Sequence, residues 1–73
     1  MNIVFKARKK YWSTMWKKKL LKIVPVKNDY TIWHGSKLLH KEINMHEMID
    51  VITNITGKVP LFTTNRQESV LNH

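Results

Sequence analysis

Apolar residues recur at helical spacing in one stretch of the chain. Met45, Met48, Ile49, Ile52 and Ile55 stand three and four positions apart, which gathers them on a single stripe of an α-helix. The flanks agree with that reading. Asn44 stands at the N-cap, Glu47 falls three residues later to complete a capping box, and Ile43 and Met48 occupy the two positions of a hydrophobic staple. Gly57 serves as the C-cap. The pattern predicts a helix over 45–56.

Upstream, the apolar residues are β-branched and aromatic and lie between turn formers. Segments 20–26 and 30–34, separated by Asn28 and Asp29, read as a β-hairpin. Pro25 has no amide hydrogen, which assigns the first of these strands to a sheet edge or places a bulge there. Gly35 and Ser36 mark a second turn, leading into a third antiparallel strand over 37–43. Residues 59–63 add a short strand with Pro60 near its start, and the polar tail 65–73 is expected to be loosely held or weakly helical.

Residues 3–19 fit two patterns. Wound as a helix, Phe5, Trp12, Trp16, Leu20 and Ile23 project to one side and Lys10, Lys17 and Lys18 to the other, with Arg8, Lys9 and Lys19 intruding on the apolar side. Laid out as strands, 2–7 pairs with the sheet and 11–16 follows it. The favoured reading is a short opening strand followed by a basic helix. The whole is then a small α+β domain over 1–64: a three- or four-stranded antiparallel sheet with helix 45–56 packed on one face, and a basic N-terminal segment, helical or strand, flanking it. Such a sheet leaves its other face open. Tyr30 and Trp33 are of opposite parity, so one of them points to the open side.

With 73 residues and no cysteine, the chain is one domain without disulfides or thiolate metal sites, dependent on close packing and on a partner or a second copy as a homodimer. Its 42% hydrophobic content sets it apart from disordered chains. Charge is distributed unevenly. The net charge is +8, nine of the 13 basic side chains lie in residues 1–27, and no acidic residue precedes Asp29. Residues 28–73 carry four basic and five acidic groups. A polarised, basic molecule of this kind associates rapidly with anionic surfaces. No stretch reaches the roughly 18 to 20 apolar residues of a membrane span, and no apolar core of a secretory signal follows the first lysines. A cytoplasmic protein is expected, or one of the host cytoplasm or nucleus if it is viral.

The basic, aromatic segment 8–19 has the chemistry of nucleic-acid binding. Arg8, Lys9, Lys10, Lys17, Lys18, Lys19 and Lys22 would neutralise phosphates, single-stranded or duplex, and Trp12 or Trp16 would stack on bases where exposed. The two tryptophans also suit the core of a small domain, with the lysines as its solvated face. The same two basic triplets resemble a nuclear address, and a basic segment with tryptophans also suits an anionic membrane surface or a partner's groove; the charges leave no clean apolar face for the membrane.

Other chemistry has less support. His34, His40 and His46, with Glu47 and Asp50, fit no structural zinc spacing, and the string beginning His46-Glu47 lacks the second histidine of the zinc-protease helix. No metal or cofactor is expected. Five carboxylates and two glycines provide neither a phosphate loop nor a nucleophile elbow. His34 on a strand beside a basic surface is the one candidate general base, as in a small ribonuclease or toxin. Asn54, Ile55 and Thr56 match a glycosylation sequon within the predicted helix.

The expectation is therefore a non-enzymatic binding protein for nucleic acid with little sequence specificity, since eleven lysines against two arginines supply point charges rather than bidentate forks. The competing expectation is a small protein ligand, an inhibitor or modulator of phage-like accessory type, that seats on an acidic surface of a larger host enzyme such as a nucleic-acid-processing enzyme.

Overall fold

A computed structural model describes residues 1–63. Five strands follow one another as β1 (Asn2–Ala7), β2 (Trp12–Trp16), β3 (Lys19–Val26), β4 (Asp29–His34) and β5 (Lys37–Ile43), then helix α1 (Met45–Thr56) and strand β6 (Val59–Phe62). They form one sheet in the order β5-β4-β3-β2-β1-β6. Neighbours are antiparallel except β6, which runs parallel to β1. The class is α+β as expected, with six strands rather than three or four. The tail 65–73, and the domain boundary placed before it, lie outside the described residues.

The basic helix expected after β1 is a strand instead. A spacing of four residues, as between Trp12 and Trp16, satisfies both periods: about one helical turn, or two full pleats of a strand. Pairing decides between them. Trp12 lies opposite Ile23 and Thr14 opposite Leu21, which places alternate residues of β2 on the same face as the core of β3. Trp16 lies opposite Lys19, so Lys17 and Lys18 alone make the connecting turn. Both have positive φ, 49° and 67°, the signature of a type I′ hairpin, which ordinarily takes Asn-Gly. A lysine pair in that role gives no turn signal in the sequence.

Pro25 is on an interior strand in regular register, contrary to the edge position or bulge expected. β2 stops pairing with β3 at Trp12 and Ile23, two residues short of Pro25. The hairpin to β4 closes at Val26 and Asp29, and Pro25 with Tyr30 is the next pair. In an antiparallel ladder, the pair after the closing one directs its backbone nitrogens away from each other. The proline nitrogen therefore points to the side where β2 has already ended. The turn is Lys27 and Asn28, one residue earlier than the sequence suggested, with Lys27 at φ 57°.

Helix α1 has the predicted bounds and caps. The Glu47 amide donates to Asn44 Oδ1 at 2.8 Å, and Asn44 Nδ2 donates to Glu47 Oε1 at 3.1 Å. Gly57, at φ 70°, donates its amide to the Thr53 carbonyl at 2.8 Å, the left-handed closure that glycine adopts at no steric cost. The helix carries the chain from one sheet edge, β5, to the other, β6. On the way its buried residues Met48 and Ile52 pack on Ile3, Phe5, Leu21, Ile23, Ile32 and Ile43. Both residues of the predicted staple, Ile43 and Met48, are in this core.

Two outcomes test this account by urea denaturation. Phe5→Ala, which empties the centre of the core, lowers the unfolding free energy by about 3 to 5 kcal/mol. Asn44→Ala, which removes the cap acceptor and the exposed donor to Glu47, lowers it by about 1 kcal/mol.

Candidate nucleic-acid interface

Cross-strand partners share a face of the sheet, so the register identifies what the uncovered face presents. Lys6 lies opposite Ser13, Ser13 opposite Lys22, Lys22 opposite Trp33 and Trp33 opposite Leu38. This row crosses β1 to β5. The adjoining row, Ala7, Trp12, Ile23 and Ile32, belongs to the helix side and contains two fully buried isoleucines. Tyr11 shares the parity of Ser13, and the Lys22 Nζ sits 5.1 Å from the centroid of its ring, a cation–π distance. Arg8 Nε donates to Ser13 Oγ at 3.4 Å, which lays the guanidinium over the middle of the row. Of the pair singled out by parity, Trp33 is on the open face and Tyr30 is on the helix side, 6.4 Å from Trp12.

The remainder of that face is mainly apolar, with Asn2, Asp29 and Thr31 at the same parity. Val4, Met15, Leu20, Val26, Leu38, Val59 and Leu61 are all exposed, Met15 the most at 62%. Met15 lies opposite Leu20, and Val4 opposite Leu61. Val4, Lys6, Arg8, Ser13, Met15 and Leu20 line a shallow depression of about 280 Å³. The exposed carboxylates Glu47 and Asp50 are on the helix, on the other side of the sheet.

The residues named from the sequence are not gathered on one surface. Arg8, Lys9 and Lys10 belong to the β1–β2 turn, which the Arg8 amide closes onto the Tyr11 carbonyl at 2.7 Å. Lys17 and Lys18 form the β2–β3 turn at the opposite end of the sheet. About 13 Å of strand separates the two sets, at a rise of roughly 3.3 Å per residue. Lys19 is exposed at the start of β3 with the parity of Leu21, while Lys22 is on the open face. Lys27 tips the β3–β4 turn, at the same end as Arg8. Among the described residues, three of the four non-glycine residues with positive φ are lysines in these turns.

Trp12 and Trp16 are half-buried on the helix side and pack against the core. Trp12 meets Phe62 edge-on at 5.4 Å. Its other flank joins Ala7, Arg8, Lys9, Lys10, Tyr11 and Pro25 around a cleft of about 320 Å³. Trp16 lies 5.0 Å from His34, with Lys17 Nζ 4.7 Å from its own ring. His34 Nε2 is 2.8 Å from the Trp16 carbonyl. A carbonyl only accepts, so that nitrogen is the donor of this hydrogen bond. Among the described residues no three of His, Asp and Glu come together in a way that could hold a metal ion, and none of the helices is long and apolar enough to cross a membrane.

Lys6 and Tyr11 join the charged row without having been named as a site by the sequence, and Trp33 joins it as the member of the Tyr30 and Trp33 pair that faces the open side. Parity alone could have placed them there once 11–16 was read as a strand. The chain matches no protein-family model, no curated protein and no solved structure, so its surface chemistry has to be argued from the residues.

Two substitutions separate the roles of neighbours. Trp12→Ala lowers the unfolding free energy by about 3 kcal/mol or more, whereas Tyr11→Ala changes it by less than about 1 kcal/mol. Lys18→Gly relieves a left-handed lysine and raises stability by about 1 kcal/mol, read as a higher thermal midpoint.

Proposed function

We propose that the protein is a non-enzymatic nucleic-acid-binding protein with little sequence specificity. The observation that carries this reading is the uncovered sheet face, where Lys6, Arg8 and Lys22 are set among Tyr11 and Trp33 on adjacent strands. Lysines at both ends of the sheet extend the positive surface beyond the row. Left-handed backbone at a residue other than glycine is strained, and it occurs both in tight hairpin turns and at functional sites. Lys17, Lys18 and Lys27 hold that conformation in turns that Asn or Gly would fill more easily, which favours a role for their charge. Flexible ammonium groups neutralise phosphates without reading bases, consistent with low specificity.

A second reading is favoured by the exposed apolar residues of the same face. Met15, Leu20, Leu38 and Leu61 would anchor a protein partner with an acidic rim, the lysines then steering the encounter.

Titration with unrelated oligonucleotides at two salt concentrations tests the first reading. With about five phosphate contacts, the logarithm of affinity falls with the logarithm of salt at a slope of roughly −3 to −5. Lys18→Gly, although more stable, reduces that slope by about one. Absence of binding at low salt rejects the reading, and recovery of an acidic protein from nuclease-treated lysate then supports the second.

A further inference from the structure

We infer that the nucleic acid taken by the open face is single-stranded, crossing the strands from β1 to β4 with unpaired bases against Tyr11, Trp33 and their apolar neighbours. This rests on the nucleic-acid reading above and narrows it to one class of ligand.

The shape of the face excludes groove reading. A duplex admits an α-helix or a two-stranded ribbon into its major groove, which is about 12 Å wide. Six strands at about 4.8 Å spacing span roughly 24 Å, too broad to enter face-on. A duplex lying on the sheet would therefore present only its phosphate backbone. That backbone would meet Val4, Met15, Leu20, Leu38 and Leu61, which are 46%, 62%, 37%, 42% and 45% exposed, and desolvating phosphate against apolar side chains is unfavourable.

Unpaired bases reverse that balance, because they offer flat apolar faces that stack on aromatic rings and cover aliphatic groups. The charged groups are placed to match. Lys22 lies between the two aromatic residues, opposite Trp33 on β4 and over the Tyr11 ring at 5.1 Å. Lys6, on the adjacent strand, lies opposite Ser13, and Arg8, in the β1–β2 turn, donates to the Ser13 hydroxyl. Base-facing and phosphate-facing groups thus occur together along one row, and a carboxylate of the same face, Asp29, lies opposite Val26 at the other end of β4 from Trp33. An acidic protein partner would use the lysines and the apolar groups, but would not require two rings on either side of a cation.

The experiment is a competition by fluorescence anisotropy at about 0.15 M salt, with a labelled single strand of mixed sequence against the same strand annealed to its complement. Tyr11→Leu and Trp33→Leu keep the face apolar while removing the rings, and circular dichroism confirms that each is folded; Lys22→Gln is read in parallel as a variant with less packing at stake. The single strand is expected to bind at least about tenfold tighter than the duplex, and each leucine variant to lose about fivefold or more on the single strand, the loss of roughly 1 kcal/mol of stacking. Equal or tighter duplex binding, or single-strand affinity unchanged in both leucine variants, overturns the inference while the nucleic-acid reading stands. No binding to either oligonucleotide at low salt overturns both.

Discussion

A helix of twelve residues has one apolar stripe, and one stripe can seal only one face of a sheet. That constraint organises the molecule. Met48 and Ile52 close the face formed by Phe5, Leu21, Ile23 and Ile32, and residues of opposite parity point away from the helix. The division is chemical as well as geometric. Glu47 and Asp50 are on the helix, while Lys6, Lys22 and the Arg8 side chain are on the far side. The electrostatic asymmetry visible along the sequence thus becomes an asymmetry between the two faces.

Legibility of the fold followed the strength of local signals. The helix announced itself through cap, staple and stripe, since each of these acts over a few residues. The hairpin from β3 to β4 was visible in its β-branched residues, with its turn misplaced by one position because Lys27, rather than a usual turn former, takes the left-handed corner. β2 was not legible as a strand in preference to a helix. Its tryptophans are four apart, and its turn residues, Lys17 and Lys18, have neither the hydrogen-bonding side chain of asparagine nor the freedom of glycine. Pro25 misled for a related reason: the rule that removes proline from interior strands concerns donors facing a neighbour, and here the neighbour is shorter.

The candidate site was half legible. Lysine content pointed to an anionic partner whatever the fold. Which aromatic residues accompany the lysines depends on parity, and parity depends on the β2 assignment. Read as a helix, the segment nominates Trp12 and Trp16; as a strand it turns both inward and brings out Tyr11 instead. The edges of the sheet are guarded. β6 carries Pro60, and β5 slips register twice against β4 with Glu42 at φ 57°, both of which discourage pairing with a further strand.

The parallel pairing of β6 with β1 has a consequence for how the chain is made. Asn2 lies beside Val59, Phe5 beside Phe62, and the Ala7 amide reaches the Thr63 hydroxyl across 56 residues of sequence. The meander from β1 to β5 forms from neighbours as they emerge from the ribosome, but Phe5 stays uncovered until the helix follows, and one flank of β1 stays unpaired until β6 is delivered after it. Closing so distant a contact is slow relative to hairpin formation. During that interval the growing chain exposes both an unpaired backbone edge and its largest core residue, the stage of synthesis at which it is most open to aggregation or to a chaperone.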